Sequence, residues 1–139
     1  MLFRSRRCWK AILLVSALMI LPRKSILKFK EELMARYEKM VQEILARLLG
    51  VQLTLLAYYP VNHDAAPDDS WFFYRTNERI HEANEAIEAL AEKYHLGFLD
   101  LNAPLTDENG NLKAEFTIDG VHMYPNGYWE VWKQLVKIP

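Results

Sequence analysis

One cysteine, Cys8, stands among the 139 residues, so no internal disulfide can form and a Cys-x-x-Cys redox pair or cysteine-based zinc site is excluded. The redox compartment therefore stays open. Charge of either sign is not in excess, the formal net charge being −1, and nothing in that balance asks for nucleic acid as a partner. No internal repeat or low-complexity segment appears. Long apolar runs are also missing: "AILLVSALMIL", residues 11 to 21, falls well short of the roughly 20 residues that span a bilayer.

With 51% apolar and 25% charged residues, the chain has the profile of a globular protein, and its length suits one core. Basic residues are unevenly placed. Arg4, Arg6, Arg7, Lys10, Arg23, Lys24, Lys28 and Lys30 crowd the first thirty positions, while the rest is acidic. Residues 1–24 therefore form an atypical segment, a basic lead-in and an apolar run, ahead of a unit spanning 25–139. The apolar run suits a strand buried on both faces. A secretory signal or weak anchor over 1–21 is the alternative, although "PRKS" replaces the small residues of a cleavage site. A cytoplasmic location is the expectation, with neither a membrane nor nucleic acid as partner.

Leu33, Tyr37, Met40, Val41, Ile44, Leu45 and Leu48 recur at three- and four-residue intervals, which predicts an amphipathic helix over 25–49, stopped by Gly50. "VQLTLLAYY", residues 51–59, carries no charge and ends at Pro60, as a central strand does. "VNHDAAPDDSW", residues 61–71, is the loop beyond that strand end, where open α/β sheets keep their ligands. A second helix is predicted over 77–94 on the stripe Ile80, Ala83, Ile87, Leu90 and Ala91, a short strand over 96–101, and a turn over 106–111. The last helix begins near Asn126 and is expected to bury Tyr128, Val131, Trp132, Leu135 and Val136. Strands each preceded by a helix imply parallel pairing through right-handed crossovers.

"TIDGVHMYPNGY", residues 117–128, places Asp119 three residues before His122 across Gly120. A glycine there permits a tight turn that folds the carboxylate towards the imidazole. A carboxylate on one ring nitrogen fixes the tautomer and frees the other nitrogen to take a proton from a nucleophile. The spacing alone equally fits a surface turn carrying a half-exposed histidine.

The block "DGVHMYPNGY" with the helix "WEVWKQLVK" resembles the C-terminal block of the SGNH hydrolases, also called the GDSL family of lipases and esterases. The resemblance continues upstream through "YEKMVQEILARLLGVQLTLLAYYPVN" and "NERIHEANEAIEALAEKYHLGFLDLNAPLTDENGNL", covering roughly residues 33–137. It is nearest to the subgroup related to the platelet-activating-factor acetylhydrolase subunits. The resemblance implies a flavodoxin-like three-layer α/β/α sandwich with a short parallel sheet, and ester hydrolysis through Ser-His-Asp, with His122 as general base and Asp119 as its orienting partner. No cofactor or metal is implied.

The nucleophilic serine of that family belongs to a Gly-Asp-Ser block, with a glycine and a Gly-x-Asn-Asp block adding oxyanion donors. Those blocks are not present. Gly50 is the first glycine, and Ser5, Ser16 and Ser25 have no Gly-Asp before them. The expected product is thus the back half of a hydrolase domain, lacking the first strands of its sheet. A shifted reading frame, a displaced start or a decayed gene would each give this pattern. Such a chain is expected to be inactive alone and poorly soluble, to act on a small ester only when completed by the missing half, and to self-associate through an exposed sheet edge. A catalytically silent interaction module is the alternative.

Other candidates carry blander readings beside the functional ones. His81 and Glu85, four apart on a helix, could share a metal, yet with no third ligand they read as a solvated ion pair. His95 closes the same helix, where a cation suits the dipole. "NHD", residues 62–64, reads as a loop turn, and Trp71, Phe72, Phe73 and Tyr74 as an acyl pocket lining or as core packing.

Overall fold

A computed structural model describes residues 10–13, 26–66 and 75–137. The elements run β1 (Lys10–Leu13), α1 (Ile26–Arg47), β2 (Gln52–Leu56), α2 (Asn77–Lys93), β3 (Gly97–Leu99) and α3 (Pro125–Leu135). The three strands form one parallel sheet in the order β1-β2-β3, with Ala11 opposite Leu53 and Leu55 opposite Phe98. Within the apolar run that admitted a strand or a targeting segment, Lys10–Leu13 is strand; residues 1–9 and 14–24 lie outside the described residues, as do Cys8 and Trp71 to Tyr74. No described helix is long and apolar enough to cross a membrane.

Alternation along β2 sorts its side chains between two faces. Leu53 and Leu55 point into a core shared with Tyr37 and Val41 of α1 and Ile80, Ile87 and Leu90 of α2, so both helices cover the same face. That is the arrangement two right-handed crossovers give when strand order follows chain order. Leu56 points the other way, where it lines a cleft with Leu105, Met123 and Val131. There a second cluster, Leu105, Leu112, Phe116 and Met123, packs with Val131 of α3. The molecule therefore shows helices on both faces of a parallel sheet, the three-layer order expected of its α/β pattern.

Two helix ends are fixed by local chemistry. Thr76 caps α2, its hydroxyl accepting from Arg79 N–H at 3.4 Å. At the other end His95 takes φ +54, while Leu96 N–H donates to Ala91 O and His95 N–H to Glu92 O, the paired bonds of a Schellman stop. The strand β2 closes earlier than its apolar run because asparagine side chains replace the ladder beyond Leu56. Asn84 Oδ1 accepts from Tyr58 N–H at 2.7 Å and its Nδ2 donates to Tyr58 O at 2.9 Å, while Asn77 makes the same pair with Val61 at 2.8 and 3.1 Å. At Gly97 a Cβ would stand 2.7 Å from Thr54 Oγ1 on the neighbouring strand, so β3 enters the sheet on a residue without one.

One expectation holds only in part on the last helix, where Leu135 is half-buried. Val131 is half-buried, but Tyr128, Trp132 and Val136 are 51%, 54% and 58% exposed, and Trp129 is 58% exposed. Gly127 and Val131 face the second cluster instead. The periodic stripe is real, but among the described residues only its Val131 and Leu135 side is covered.

Candidate active site

The loop holding Asp119 and His122 is closed at its base by an isolated antiparallel bridge between Thr117 and Met123. Thr117 Oγ1 accepts from Gly120 N–H at 2.8 Å and donates to His122 O at 3.0 Å, so one buried hydroxyl ties both limbs. Gly120 stands at φ +85, a conformation that costs an L side chain roughly 1–2 kcal/mol. Its carbonyl accepts from Asn62 N–H at 2.8 Å, which docks the loop on the segment following β2. Asn62 is itself held by Nδ2 donating to Leu112 O at 2.7 Å.

Inside this loop His122 Nδ1 donates to Asp119 Oδ2 at 2.7 Å. Asp119 Oδ1 accepts from His122 N–H at 2.8 Å and Val121 N–H at 3.0 Å. Burial pushes the Asp119 carboxyl up, but the His122 amide, the His122 ring and the Val121 amide together outweigh it and hold the group below the usual carboxylate range. An ionised acceptor places the ring proton on Nδ1 and leaves the Nε2 lone pair open, the tautomer a general base requires. No described residue hydrogen-bonds Nε2, and the imidazole is about half exposed.

Two residues not singled out in the sequence border this pair. Arg75 is buried, its guanidinium carbon 5.9 Å from the centre of the Tyr59 ring. Burial lowers the Arg75 pKa, against the pull of Tyr59, Tyr58 and Asp119, and burial raises that of Tyr59, where Tyr128 adds and Arg75 opposes. The only sequence signal for either was a position beside a loop that follows a strand. An apolar cleft opens next to them, lined chiefly by Leu56, Ala57, Tyr59, Leu105, Met123 and Tyr128.

The remaining candidates sit apart from the loop's chemistry. His81 and Glu85 pair at 3.3 Å on the exposed side of α2, and no cluster of three metal-ligating side chains occurs among the described residues. His63 Nε2 donates to Arg75 O at 3.2 Å, which makes it part of the loop's packing. His95 belongs to the helix stop described above. All four serines, Ser5, Ser16, Ser25 and Ser70, lie outside the described residues.

A parallel three-layer sheet carrying an Asp-x-x-His loop ahead of its last helix defines an α/β hydrolytic fold of the SGNH kind. The sequence profile of the GDSL-like lipase/acylhydrolase family matches residues 17–130, and the chain belongs to that family. It is similar to a protein from Streptococcus pneumonia reported as a candidate platelet activating factor, with 28% identity and a TM-score of 0.78, over 93% of this chain and 58% of that one. An acylhydrolase from Bacteroides fragilis (20% identity, TM-score 0.64, 78% of this chain and 50% of that one) shares the fold. So does a GDSL-like lipase from Bacteroides thetaiotaomicron (22% identity, TM-score 0.61, 78% and 52%). The chain thus spans between half and three fifths of the length of these proteins. No curated protein matches it. The flavodoxin-like fold class and the family resemblance read from the Asp-x-x-His block both hold.

Proposed function

We propose that this chain is the carboxy-terminal portion of a serine ester hydrolase, in which His122 acts as general base and Asp119 orients it. The observation that carries the reading is the 2.7 Å bond from His122 Nδ1 to an ionised Asp119 carboxylate, with Nε2 left open. In the reaction a serine hydroxyl supplied by the rest of the domain gives its proton to Nε2 as Oγ attacks the ester carbonyl. The imidazolium, stabilised by Asp119, then returns the proton to the departing alkoxide. Water repeats the cycle on the acyl-enzyme through the same nitrogen. Small esters are the substrate class, with the acyl group unspecified.

Without a Gly-Asp-Ser or Gly-x-Asn-Asp block, the chain by itself is proposed to be inactive, because neither nucleophile nor oxyanion donors are supplied. The test is p-nitrophenyl acetate hydrolysis by the purified chain beside His122→Ala. Equal, buffer-level rates are expected. Turnover abolished by His122→Ala would refute the inactivity, and turnover by a completed domain indifferent to that substitution would refute the base.

A second reading makes the chain a silent interaction module that self-associates through its sheet edge. It is supported by β1, which pairs with β2 on one side and with no other described strand.

A further inference from the structure

We infer that Asn62 is a positioning residue for the Asp119–His122 pair, its buried carboxamide fixing the one peptide group that orients their loop over the sheet. What this placement does for catalysis rests on the proposed role of His122, but the placement itself is tested without it.

The pair sets its own internal geometry, since the Thr117 hydroxyl and the Asp119 carboxylate bond only within the loop. Where the loop faces is a separate matter. Among the described residues, the 2.8 Å bond from Asn62 N–H to Gly120 O is the only hydrogen bond between residues 118–122 and chain outside the Thr117–Met123 loop. Val121 packs against the first core and Met123 within the second cluster, but apolar contact has no direction of its own. The Asn62 amide therefore decides where Nε2 of His122 points.

That amide belongs to the planar Val61–Asn62 peptide group, which carries the Val61 carbonyl on its opposite edge. The carbonyl accepts from Leu112 N–H at 3.2 Å and from Asn77 Nδ2 at 3.1 Å. The Asn62 carboxamide completes the hold, Nδ2 donating to Leu112 O at 2.7 Å and Oδ1 accepting from Ala65 N–H at 3.1 Å. Leu112 thus exchanges both of its backbone groups with residues 61 and 62, as a strand neighbour does, although one of the two bonds comes from a side chain. Leu112 is fully buried in the cluster that contains Met123, the residue after His122. Both sides of His122 are therefore referred to one buried residue, Gly120 through Asn62 and Met123 through apolar packing. Asn62 is only 6% exposed, so water does not stand in for its bonds, and the position needs a donor and an acceptor together. Serine would keep only the acceptor, and alanine would keep neither.

The experiment is nuclear magnetic resonance on the full 139-residue chain, comparing the parent with Asn62→Ala, Asn62→Ser and the core control Ile87→Val. In Asn62→Ala the residual dipolar couplings of the 118–122 amides should fall to about half or less, and the amide of residue 62 should exchange about tenfold faster, while the couplings of α2 hold. The Nδ1–H tautomer of His122, read from the imidazole nitrogen shifts, should be kept, because its bond to Asp119 is internal to the loop. Asn62→Ser should fall between parent and Asn62→Ala. Ile87→Val, which loosens the core without touching the loop, should change neither reading. Parent-like loop couplings in Asn62→Ala, an equal change in Ile87→Val, or loss of the tautomer along with the couplings would each overturn the assignment. Should Asn62→Ala not fold, Asn62→Ser decides alone, reduced loop couplings supporting the assignment and parent-like ones overturning it. A completed domain whose turnover ignores His122→Ala would count against the base and leave these couplings as they are.

Discussion

Replacing Asn77 by alanine should cost more than its place in the first turn of α2 suggests. Its side chain accepts from Val61 N–H at 2.8 Å and donates to Val61 O at 3.1 Å and to Asn111 Oδ1 at 2.9 Å. Val61 is fully buried, so no water replaces the lost acceptor. A buried donor stripped of its partner costs about 1–3 kcal/mol. The carbonyl of Val61 is spared, because Leu112 N–H also donates to it at 3.2 Å. Alanine regains some helix propensity, about 0.5 kcal/mol, which sets the net loss near 2 kcal/mol. Asn111→Ala removes only the third of these bonds, and the Asn111 amide stays held by Asp107 Oδ1 at 2.8 Å, so about 0.5–1 kcal/mol is expected. Asn77→Asp keeps the acceptor for Val61 N–H and gains from the helix dipole, and should fall between the two. Urea titration reads all three through the midpoint at constant slope. A loss under about 0.5 kcal/mol for Asn77→Ala, or one equal to that of Asn111→Ala, would refute the claim that the buried Val61 amide dominates.

Three further outcomes are expected. His95→Gly relieves a left-handed residue at the α2 stop and should raise stability by about 1 kcal/mol, a gain of roughly 3–5 °C in Tm by calorimetry. Gly120→Ala imposes the same strain in reverse and should cost about 1–2 kcal/mol, with loss of slowed hydrogen exchange at the Asn62 amide that its carbonyl accepts. Asp119→Asn tests linkage. Because the folded-state pKa lies below the unfolded one, the carboxylate's contribution is present above the ordinary carboxylate range and is lost as pH falls through the depressed value. The urea midpoints of the parent and Asp119→Asn should therefore differ at neutral pH and converge in acid. A gap that stays constant would contradict it.

The helices were legible because their burial is periodic. Ile80, Ala83, Ile87, Leu90 and Ala91 are the buried face of α2 as their spacing requires. Asp119 and His122 were legible because they meet within one turn of chain. The early end of β2 was hidden, since it depends on Asn77 and Asn84 reaching back from a helix that hydropathy reads only for its apolar side. Arg75 and Tyr59 were hidden for the same reason, being neighbours of Asp119 only in the folded state. On α3, periodicity named the side chains that share a face, but a shared face becomes a buried one only when something covers it.

The Thr117–Met123 loop separates two kinds of assembly within the proposed catalytic arrangement. Asp119 and His122 meet across three residues, so closing their loop costs little chain entropy and takes place on the timescale of the fastest local events. A nucleophile arriving from distant sequence would instead carry the full entropic charge of a long closure. The pair thus forms without distant chain, and an ordered Asp119–His122 couple reports local folding, whereas under the proposed mechanism the arrival of a serine at Nε2 would report that the entire domain had come together.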